Sequence, residues 1–269
     1  MSSTSLKSSQ CYVVLITGCT SGIGKAIVDA FCSSSFHLPS SLFSSRKIIG
    51  LARRESILKE MEKTYPDRFI GMPCDITDQK KVESVFEQLE SDNLVPTVVV
   101  NNAGLGRKAS LISGDFNDFK LMLDVNVLGL SLVTKLSVER QLKLASELQQ
   151  HCFIIHISSL SGHRLTYAEG LGMYAASKHA VKALTEVLRY ELRLAKSPIR
   201  VTSISPGLVE TEFFVGFLHG DKDKANQVGA DLEKMLQPKD IADQVVHVVL
   251  SPKHVQIHDI LLRPTDQQT

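Results

Sequence analysis

Short apolar runs rich in valine and isoleucine alternate along the chain with longer segments whose apolar residues recur every three or four positions. Short runs of this kind are typical of strands in a parallel sheet that is covered on both faces, and the longer segments are typical of amphipathic helices. Seven strands are predicted, at Tyr12–Ile16, Lys47–Leu51, Arg68–Met72, Thr97–Val100, Cys152–Ile157, Arg200–Ile204 and Ile257–Leu262. Six helices are predicted, at Gly22–Ser33, Glu55–Tyr65, Asp78–Glu90, Phe116–Leu144, Tyr174–Ala195 and Pro238–Leu250. The alternation predicts an α/β fold, with a doubly wound, mainly parallel sheet of seven strands in a single domain over residues 1–269.

Two stretches interrupt the alternation. Residues 32–45 are rich in serine and are predicted to form a surface insertion between the first helix and the second strand. Residues 210–237 form a long segment with Phe213, Phe214 and Phe217 near its start. Long segments inside a compact domain are often lids, so we expect a lid whose phenylalanines contact substrate. The alternative is an ordinary loop whose phenylalanines fill the core.

Composition excludes several classes of protein. With 43% hydrophobic and 22% charged residues and a net charge of +1, the chain lacks the basic footprint of a nucleic-acid binder. The five cysteines form no CxxC pair, and the histidines show no metal-ligand spacing, so we expect reduced thiols and no metal site. No apolar run reaches the roughly 18 residues of a membrane span, and the first run is too short for a signal peptide. A soluble cytoplasmic protein is expected.

The first predicted strand runs into the sequence TGCTSGIG, at residues 17–24, and then into a helix. Glycines at a strand-to-helix turn let the backbone approach a pyrophosphate, and the helix N-terminus offers free N–H groups and a positive dipole end. This position predicts a dinucleotide site of the Rossmann type. The candidate residues are Gly18, Thr20, Ser21, Gly22, Ile23 and Gly24.

The end of the second strand indicates which dinucleotide is bound. NAD-binding folds commonly place an acidic residue there to bond the ribose 2′-hydroxyl, but this chain has Ala52 followed by Arg53 and Arg54. A guanidinium can bind a 2′-phosphate through charge-assisted hydrogen bonds, so NADP is favoured over NAD. The alternative is that the two arginines are solvated residues at a helix start.

The segment YAASK places Tyr174 and Lys178 four positions apart, on one face of a predicted helix. A phenol loses its proton only near pH ~10, but a neighbouring ammonium, together with the positive charge of an oxidised nicotinamide, favours the phenolate. Tyr174 would then exchange a proton with a substrate oxygen. Taken alone, a tyrosine and a lysine at this spacing are more often an exposed helical pair without function. The motifs around them are what make a catalytic role the better interpretation.

Five motifs follow one another in order: the glycine loop, NNAG at residues 101–104, a strand that ends in serines, YxxxK, and the sequence SPGLVET at residues 205–211. In this order they resemble the short-chain dehydrogenase/reductase family over the whole chain. The resemblance implies a catalytic group of Asn126, Ser159, Tyr174 and Lys178, in which Ser159 orients the carbonyl and Asn126 holds a water for proton relay. Lys178 would also bond the nicotinamide ribose. For Asn126, inside a predicted helix, the alternative is a local kink or an exposed polar site.

The resemblance leaves the choice of serine open, since Ser159 lies 15 residues before Tyr174 whereas many family members have 13. Ser158 and Ser161 compete with Ser159, which we prefer because it lies at the strand end. Further cofactor contacts are implied at Asp75, Ile76, Asn102, Ala103, Gly104, Pro206, Gly207, Val209 and Thr211. Asp75 would bond the adenine amino group, and its alternative role is that of a helix cap.

Several stretches, including SGHR at residues 161–164, are similar to a subgroup of the family that acts on steroids and isoprenoids. This similarity implies NADPH-linked reduction of an apolar ketone, such as a 3- or 17-ketosteroid, or oxidation of a farnesol-like alcohol. It also implies a homodimer or homotetramer formed through the helices that begin at Phe116 and Tyr174. The competing hypothesis is a dinucleotide-sensing protein of the same fold that binds the cofactor without turnover.

Overall fold

A computed structural model describes residues 10–165 and 169–268 of the chain. In this part of the chain seven strands form one sheet in the order β3-β2-β1-β4-β5-β6-β7, and every neighbouring pair is parallel. The strands are β1 (Gln10–Thr17), β2 (Phe43–Ala52), β3 (Phe69–Pro73), β4 (Val98–Asn101), β5 (Phe153–Ile157), β6 (Arg200–Pro206) and β7 (Asp259–Leu262). The strand order reverses at β1 and β4, which creates a crevice at the carboxyl ends of the strands. The predicted doubly wound fold is confirmed.

Helices cover both faces of the sheet. They are α1 (Gly22–Cys32), α2 (Glu55–Thr64), α3 (Gln79–Ser91), α4 (Phe116–Leu123), α5 (Leu130–Gln141), α6 (Ser146–Gln149), α7 (Gly172–Leu194), α8 (Phe213–Phe217), α9 (Lys222–Gln227) and α10 (Pro238–Val249). Alternate residues of β1 point to opposite faces, so Val14 lies in the core under α1 and α10 whereas Leu15 lies in the core under α3 and α5. This two-sided burial explains why the strands are apolar throughout.

The predicted helix over residues 116–144 is interrupted. A π-helical segment, Asp124–Gly129, separates α4 from α5, and the candidate residue Asn126 lies within it. Single π turns are frequent at functional sites because they shift backbone groups out of the regular hydrogen-bond pattern.

The predicted surface insertion at residues 32–45 is wrong in part. Phe36 and Phe43 are buried against the ring of Tyr12, with ring centroids 6.3 and 4.9 Å away. β2 already begins at Phe43, and Arg46 donates hydrogen bonds to the carbonyls of Phe36 and Ser33. The high serine content predicted an exposed segment, but composition does not tell which individual side chains are buried, and Phe36 and Phe43 lie in the core.

Among the described residues, one helical run, Phe116–Gln141, is long and apolar enough to cross a membrane by length and composition. In its most apolar window 44% of the residues are buried inside the protein, against α3 and the sheet. Packing within the fold therefore accounts for part of the apolar character of this run, and Phe116, Leu123 and Leu128 remain exposed.

Candidate active site

A cavity of about 820 Å³ opens at the carboxyl ends of the strands, across the point where the strand order reverses. It extends from Arg53 and Arg54, past the glycine loop and the Asn102–Gly104 turn, to Tyr174 and the aromatic start of the 210–237 segment. Most of the residues predicted from the sequence therefore line one continuous cleft.

The glycine loop is fitted to the turn that follows β4. Gly18 has a φ of +67°, and a Cβ there would lie 2.9 Å from the Cα of Ala103, so only glycine fits. The amide of Asn102 donates hydrogen bonds to the carbonyls of Thr17 and Gly18, at 2.9 and 3.1 Å. Thr17 Oγ1 in turn accepts from the backbone N–H of Asn102 and of Ala103. These bonds hold the two loops together at the mouth of the crevice.

The N-terminus of α1 faces the same cleft. Its N-cap residue, Ser21, makes no side-chain capping bond, and the first turn of the helix contains no acidic residue. The first N–H groups of the helix and its positive dipole end thus remain available to an anion. The loop and the helix start together fit a pyrophosphate.

The two arginines lie at the outer end of the cleft. Arg54 donates from Nε to Thr20 Oγ1 at 3.0 Å and pairs with Glu212 at 3.3 Å, while Arg53 Nη1 lies 3.9 Å from Asp75. Both residues line the cavity, at the start of α2. Each arginine already faces a carboxylate, and a bound phosphate would either displace that carboxylate or share the arginine with it.

Asp75 does not cap the following helix. Its Oδ1 accepts hydrogen bonds from the backbone N–H and the hydroxyl of Thr77, and the N-cap of α3 is Asp78, which accepts from the N–H of Lys81. The side chain of Asp75 is therefore fixed beside the cleft, with Ile76 next to it in the lining.

Tyr174 and Lys178 lie one turn apart on α7, and both are buried. Lys178 Nζ donates to the carbonyl of Ile157 at 3.0 Å and lies 5.8 Å from the centroid of the Tyr174 ring. Burial lowers the pKa of Lys178 to about 8 and raises the pKa of Tyr174 to about 12. At neutral pH the phenol keeps its proton and the ammonium keeps its charge. In the protein alone, burial raises the pKa of Tyr174 and the hydrogen bond with Ser159 lowers it. The depression expected from Lys178 together with the oxidised nicotinamide stays a prediction.

The three serines at the end of β5 have different surroundings. The hydroxyl of Ser159 accepts from the N–H of Ser161 at 3.1 Å, and its hydrogen bond with Tyr174 opposes the effect of burial on the pKa of that phenol. Ser158 instead points at the carbonyl of Lys178, at 3.5 Å, and Ser161 is buried in the short turn Leu160–Gly162. Ser159 is thus the serine whose side chain meets Tyr174.

Asn126 ties the π segment to the segment that follows NNAG. Its amide oxygen accepts from the N–H of Leu105 at 2.9 Å, and its amide nitrogen donates to the Leu105 carbonyl and to Ser177 Oγ, at 2.8 and 3.0 Å. These bonds occupy the side chain, so a water relay at this residue requires its backbone carbonyl.

The start of the 210–237 segment covers the inner end of the cleft. The ring of Phe213 lies 5.3 Å from that of Tyr174 and 6.2 Å from that of Phe217, which is buried. Phe214 completes this aromatic wall, at 5.3 Å from Phe213. Four residues between the end of β6 and α8 also line the cleft: Pro206, Gly207, Val209 and Thr211.

Two charged residues that sequence reasoning missed hold this segment. Arg107 donates to the carbonyl of Gly216 at 2.6 Å and pairs with Asp118 at 3.6 Å, while Glu212 pairs with Arg54. Neither residue belongs to a motif, and their partners are distant in sequence, so no local signal identifies them. Among the described residues, no cluster of three His, Cys, Asp or Glu side chains is placed to hold a metal ion.

Comparison with known proteins identifies the family of the chain. The family described as "short chain dehydrogenase" matches residues 12–221. The chain belongs to this family. It is therefore an oxidoreductase of the Rossmann type.

Individual relatives match over almost the whole chain. Dehydrogenase/reductase SDR family member 11 of Homo sapiens is 37% identical over 96% of this chain and 95% of its own length. Farnesol dehydrogenase of Aedes aegypti is 32% identical over 95% and 97%. A solved structure titled as the closed form of serine dehydrogenase complexed with NADP+ has a TM-score of 0.84, at 28% identity and 96% coverage of both chains.

Proposed function

We propose that this short-chain dehydrogenase transfers a hydride between NADP(H) and an apolar ketone or aldehyde, or oxidises the matching alcohol. The observation that carries the proposal is the buried phenol of Tyr174 beside the half-buried Ser159, at the inner end of a cleft that starts at two arginines. Such a cleft offers a proton donor beside an apolar chamber and a phosphate site at its other end.

The choice of NADP rests on the outer end of the cleft. Arg54 and Arg53 face the cavity where an NAD site would present an acid, and Thr20 holds Arg54 in place. The solved serine dehydrogenase is complexed with NADP+, and an NADP-dependent 3-hydroxy acid dehydrogenase of Schizosaccharomyces pombe is 33% identical to this chain. When bound, the nicotinamide supplies or accepts the hydride.

The residues at the inner end handle the proton and the orientation of the substrate. In reduction, the neutral phenol of Tyr174 donates its proton to the substrate oxygen, while Ser159 donates a hydrogen bond that orients the same oxygen. Lys178 supplies positive charge beneath the phenol and bonds the ribose hydroxyls. Asn126 fixes the segment that starts at Leu105 and offers its backbone carbonyl to a relay water.

The protonation of Tyr174 sets the pH dependence of the two directions. Because burial holds its pKa near 12, the form needed for reduction is present at neutral pH. Oxidation needs the phenolate, so its rate should rise with pH.

An apolar substrate fits the inner chamber. Its walls include Leu171 and the three phenylalanines of α8, Phe213, Phe214 and Phe217. Arg107 also lines it, but its guanidinium is taken by Asp118 and by the Gly216 carbonyl, so it is a poor partner for a substrate carboxylate. A 3- or 17-ketosteroid or a farnesol-like isoprenoid suits these walls, in line with the farnesol dehydrogenase among the relatives.

We assign the protein to the cytoplasm, as a homodimer or homotetramer. Its free cysteines, four of them buried, suit a reducing compartment. The outer faces of α4 and α7 expose apolar side chains that a second copy would bury, among them Phe116, Val187, Tyr190 and Leu194.

A substrate screen with both cofactors tests the proposal. NADPH oxidation is followed with ketosteroids, farnesal and small dicarbonyls, and NADP+ reduction with farnesol, serine and 3-hydroxy acids. We expect the highest kcat/KM for an apolar carbonyl with NADPH. Faster turnover of serine or of a 3-hydroxy acid would refute the substrate class, and tight NADPH binding without any turnover would favour a dinucleotide sensor.

A further inference from the structure

A second cluster of polar side chains lies behind the turn that carries Ser159. His163 Nε2 lies 2.9 Å from Asp259 Oδ2 and 2.9 Å from Ser205 Oγ, and Ser205 donates to the other oxygen of Asp259 at 3.0 Å. On the opposite side of the ring, His163 Nδ1 lies 3.2 Å from the ammonium of Lys182. None of these four residues belongs to the catalytic group.

The cluster joins the elements that form the inner end of the cleft. His163 ends the turn Leu160–Gly162, Lys182 lies on α7 one turn after Lys178, Ser205 lies on β6, and Asp259 lies on β7. The imidazole therefore connects the turn to the helix and to two strands at once.

The turn also packs directly against α7. A Cβ at Gly162 would lie 2.8 Å from the carbonyl oxygen of Lys178, so the two backbones are in close contact. Ser159 Oγ and the N–H groups of Ser161 and Gly162 are bonded within the turn. A shift of His163 relative to Lys182 would thus move Ser159 relative to Tyr174.

The partners of His163 fix its protonation state. An ammonium has donors only, so Lys182 requires a lone pair on Nδ1, and the carboxylate of Asp259 requires a proton on Nε2. The neutral Nε2–H tautomer satisfies both. A second proton, on Nδ1, would face the ammonium of Lys182.

Burial and three neighbouring groups determine the pKa of His163. Burial holds the pKa of His163 below its usual value, Lys182 and His179 from α7 act in the same direction, and Asp259 from β7 opposes them. The neutral state is therefore the resting state at neutral pH, and acidification is needed to change it.

We propose that His163 is a positioning residue, which holds the Ser159 turn against α7 only while its imidazole is neutral and so gives the enzyme a reversible acidic switch. The catalytic consequence rests on the proposed function, whereas the switch in the turn does not. Protonation sets the imidazolium against Lys182 and releases the turn from the helix.

The switch predicts opposite shifts for two variants. Lys182→Gln removes the opposing ammonium, so His163 takes up its proton at higher pH, by about one pH unit. Asp259→Asn removes the attracting carboxylate, so the midpoint falls by a similar amount. NMR titration of the histidine C2–H signals, with His163→Gln to assign the resonance, measures both shifts without any substrate.

Hydrogen exchange tests whether protonation of His163 loosens the turn that carries Ser159. In the wild type, the protection factors of the Gly162 and His163 amides should fall by about tenfold below the midpoint, and in His163→Gln they should not change with pH. His247→Gln, on the exposed side of α10, is the matched control and should behave like the wild type.

The acidic limb of kcat should follow the His163 midpoint in the wild type and in Asp259→Asn, with KM little changed, and it should be lost in Lys182→Gln, where no ammonium opposes the protonated imidazole. Shifts of Lys182→Gln and Asp259→Asn in the same direction, or turn protection that ignores the His163 midpoint, would overturn the proposal. If the titration and the exchange agree but no substrate is turned over, the proposed function fails and the switch stands.

Discussion

The two ends of the cleft hold their charged groups in opposite surroundings. At the adenosine end, the side chains of Arg53 and Arg54 are 72% and 42% exposed, and each faces a carboxylate across solvent. At the nicotinamide end, Tyr174 and Lys178 are only 9% and 5% exposed. The pKa values of the second pair are shifted strongly by burial.

This difference follows from the two tasks. Recognising a 2′-phosphate needs a positive charge within reach, and an exposed guanidinium provides it at little cost in folding free energy. Moving a proton to a carbonyl needs a group whose pKa the protein controls, and control requires the exclusion of water. The catalytic pair is therefore the buried one, and substitutions of Tyr174 or Lys178 should change activity more than substitutions of Arg53 or Arg54.

The largest effect is expected for Tyr174→Phe. Loss of the phenolic proton should lower kcat by about 10²- to 10⁴-fold, because Tyr174 is the proposed proton donor to the substrate oxygen. The Kd of NADPH, measured by fluorescence, should change little. Tyr65→Phe, whose hydroxyl bonds Asp29 outside the lining of the cleft, is the control and should leave kcat unchanged. Equal rates for Tyr174→Phe and the wild type would refute the assigned acid.

The double variant Arg53→Ala, Arg54→Ala tests the other end of the cleft. Charge-assisted bonds to phosphate contribute about 1.5–3 kcal/mol, so KM for NADPH should rise about 10- to 100-fold while KM for NADH changes by less than about twofold. Lys59→Ala removes an exposed cation of α2 and serves as the control. Equal effects on both cofactors would mean that the arginines do not read the 2′-phosphate.

Lys178→Met should separate stability from activity. At pH 7 we expect the variant to be inactive but more stable by about 1–2 kcal/mol, because relief from burying a charge exceeds the lost hydrogen bond to Ile157. The folded-state pKa is lowered from 10.5 to about 8, so between these pH values the unfolded chain holds a proton that the folded protein does not. Wild-type stability therefore rises relative to the variant through this window, and the gap closes.

Urea denaturation at several pH values measures this gap, with Lys135→Met on the exposed face of α5 as the control. A variant that is less stable than the wild type at pH 7 would mean that the buried ammonium is better satisfied than its single bond to Ile157 suggests.

The smallest effect is expected for Glu212→Gln. Its carboxylate competes with a 2′-phosphate for Arg54, and such an exposed pair contributes at most about 1 kcal/mol. The variant should bind NADPH about two- to fivefold more tightly and bind NADH as the wild type does. Weaker NADPH binding would show that Glu212 instead orients Arg54 for the phosphate.

The same contrast explains what the sequence could predict. Gly18, Asn102 and Lys178 belong to motifs whose spacing follows from local geometry, so their place in one cleft was predictable once the strands were ordered. The break at Asp124–Gly129 was anticipated only as a local kink, the alternative for Asn126, because a π turn needs no proline and the bond between Asn126 and Leu105 joins residues 21 positions apart. Phe36 and Phe43 were misjudged because serines surround them.

The residues that tune the site were the hardest to find. Arg107, Glu212 and His163 act through partners that are distant in sequence, and a charged residue on a loop looks the same whether it is solvated or paired. All three lie in stretches that are similar to the subgroup, among them SGHR for His163, but that similarity gave none of them a role. Tertiary contacts alone assign such residues.

Transfer of deuterium from NADPH to the product is the most direct test of hydride transfer to a carbonyl carbon with Tyr174 as the proton donor. The protein is incubated with NADPH that carries two deuterium atoms at C4 of the nicotinamide and with an apolar ketone or aldehyde, and the alcohol product is examined by mass spectrometry. The account predicts one deuterium in each product molecule, bound to the former carbonyl carbon, and loss of the product in Tyr174→Phe. An alcohol without deuterium, or deuterated product formed equally well by Tyr174→Phe, would contradict it.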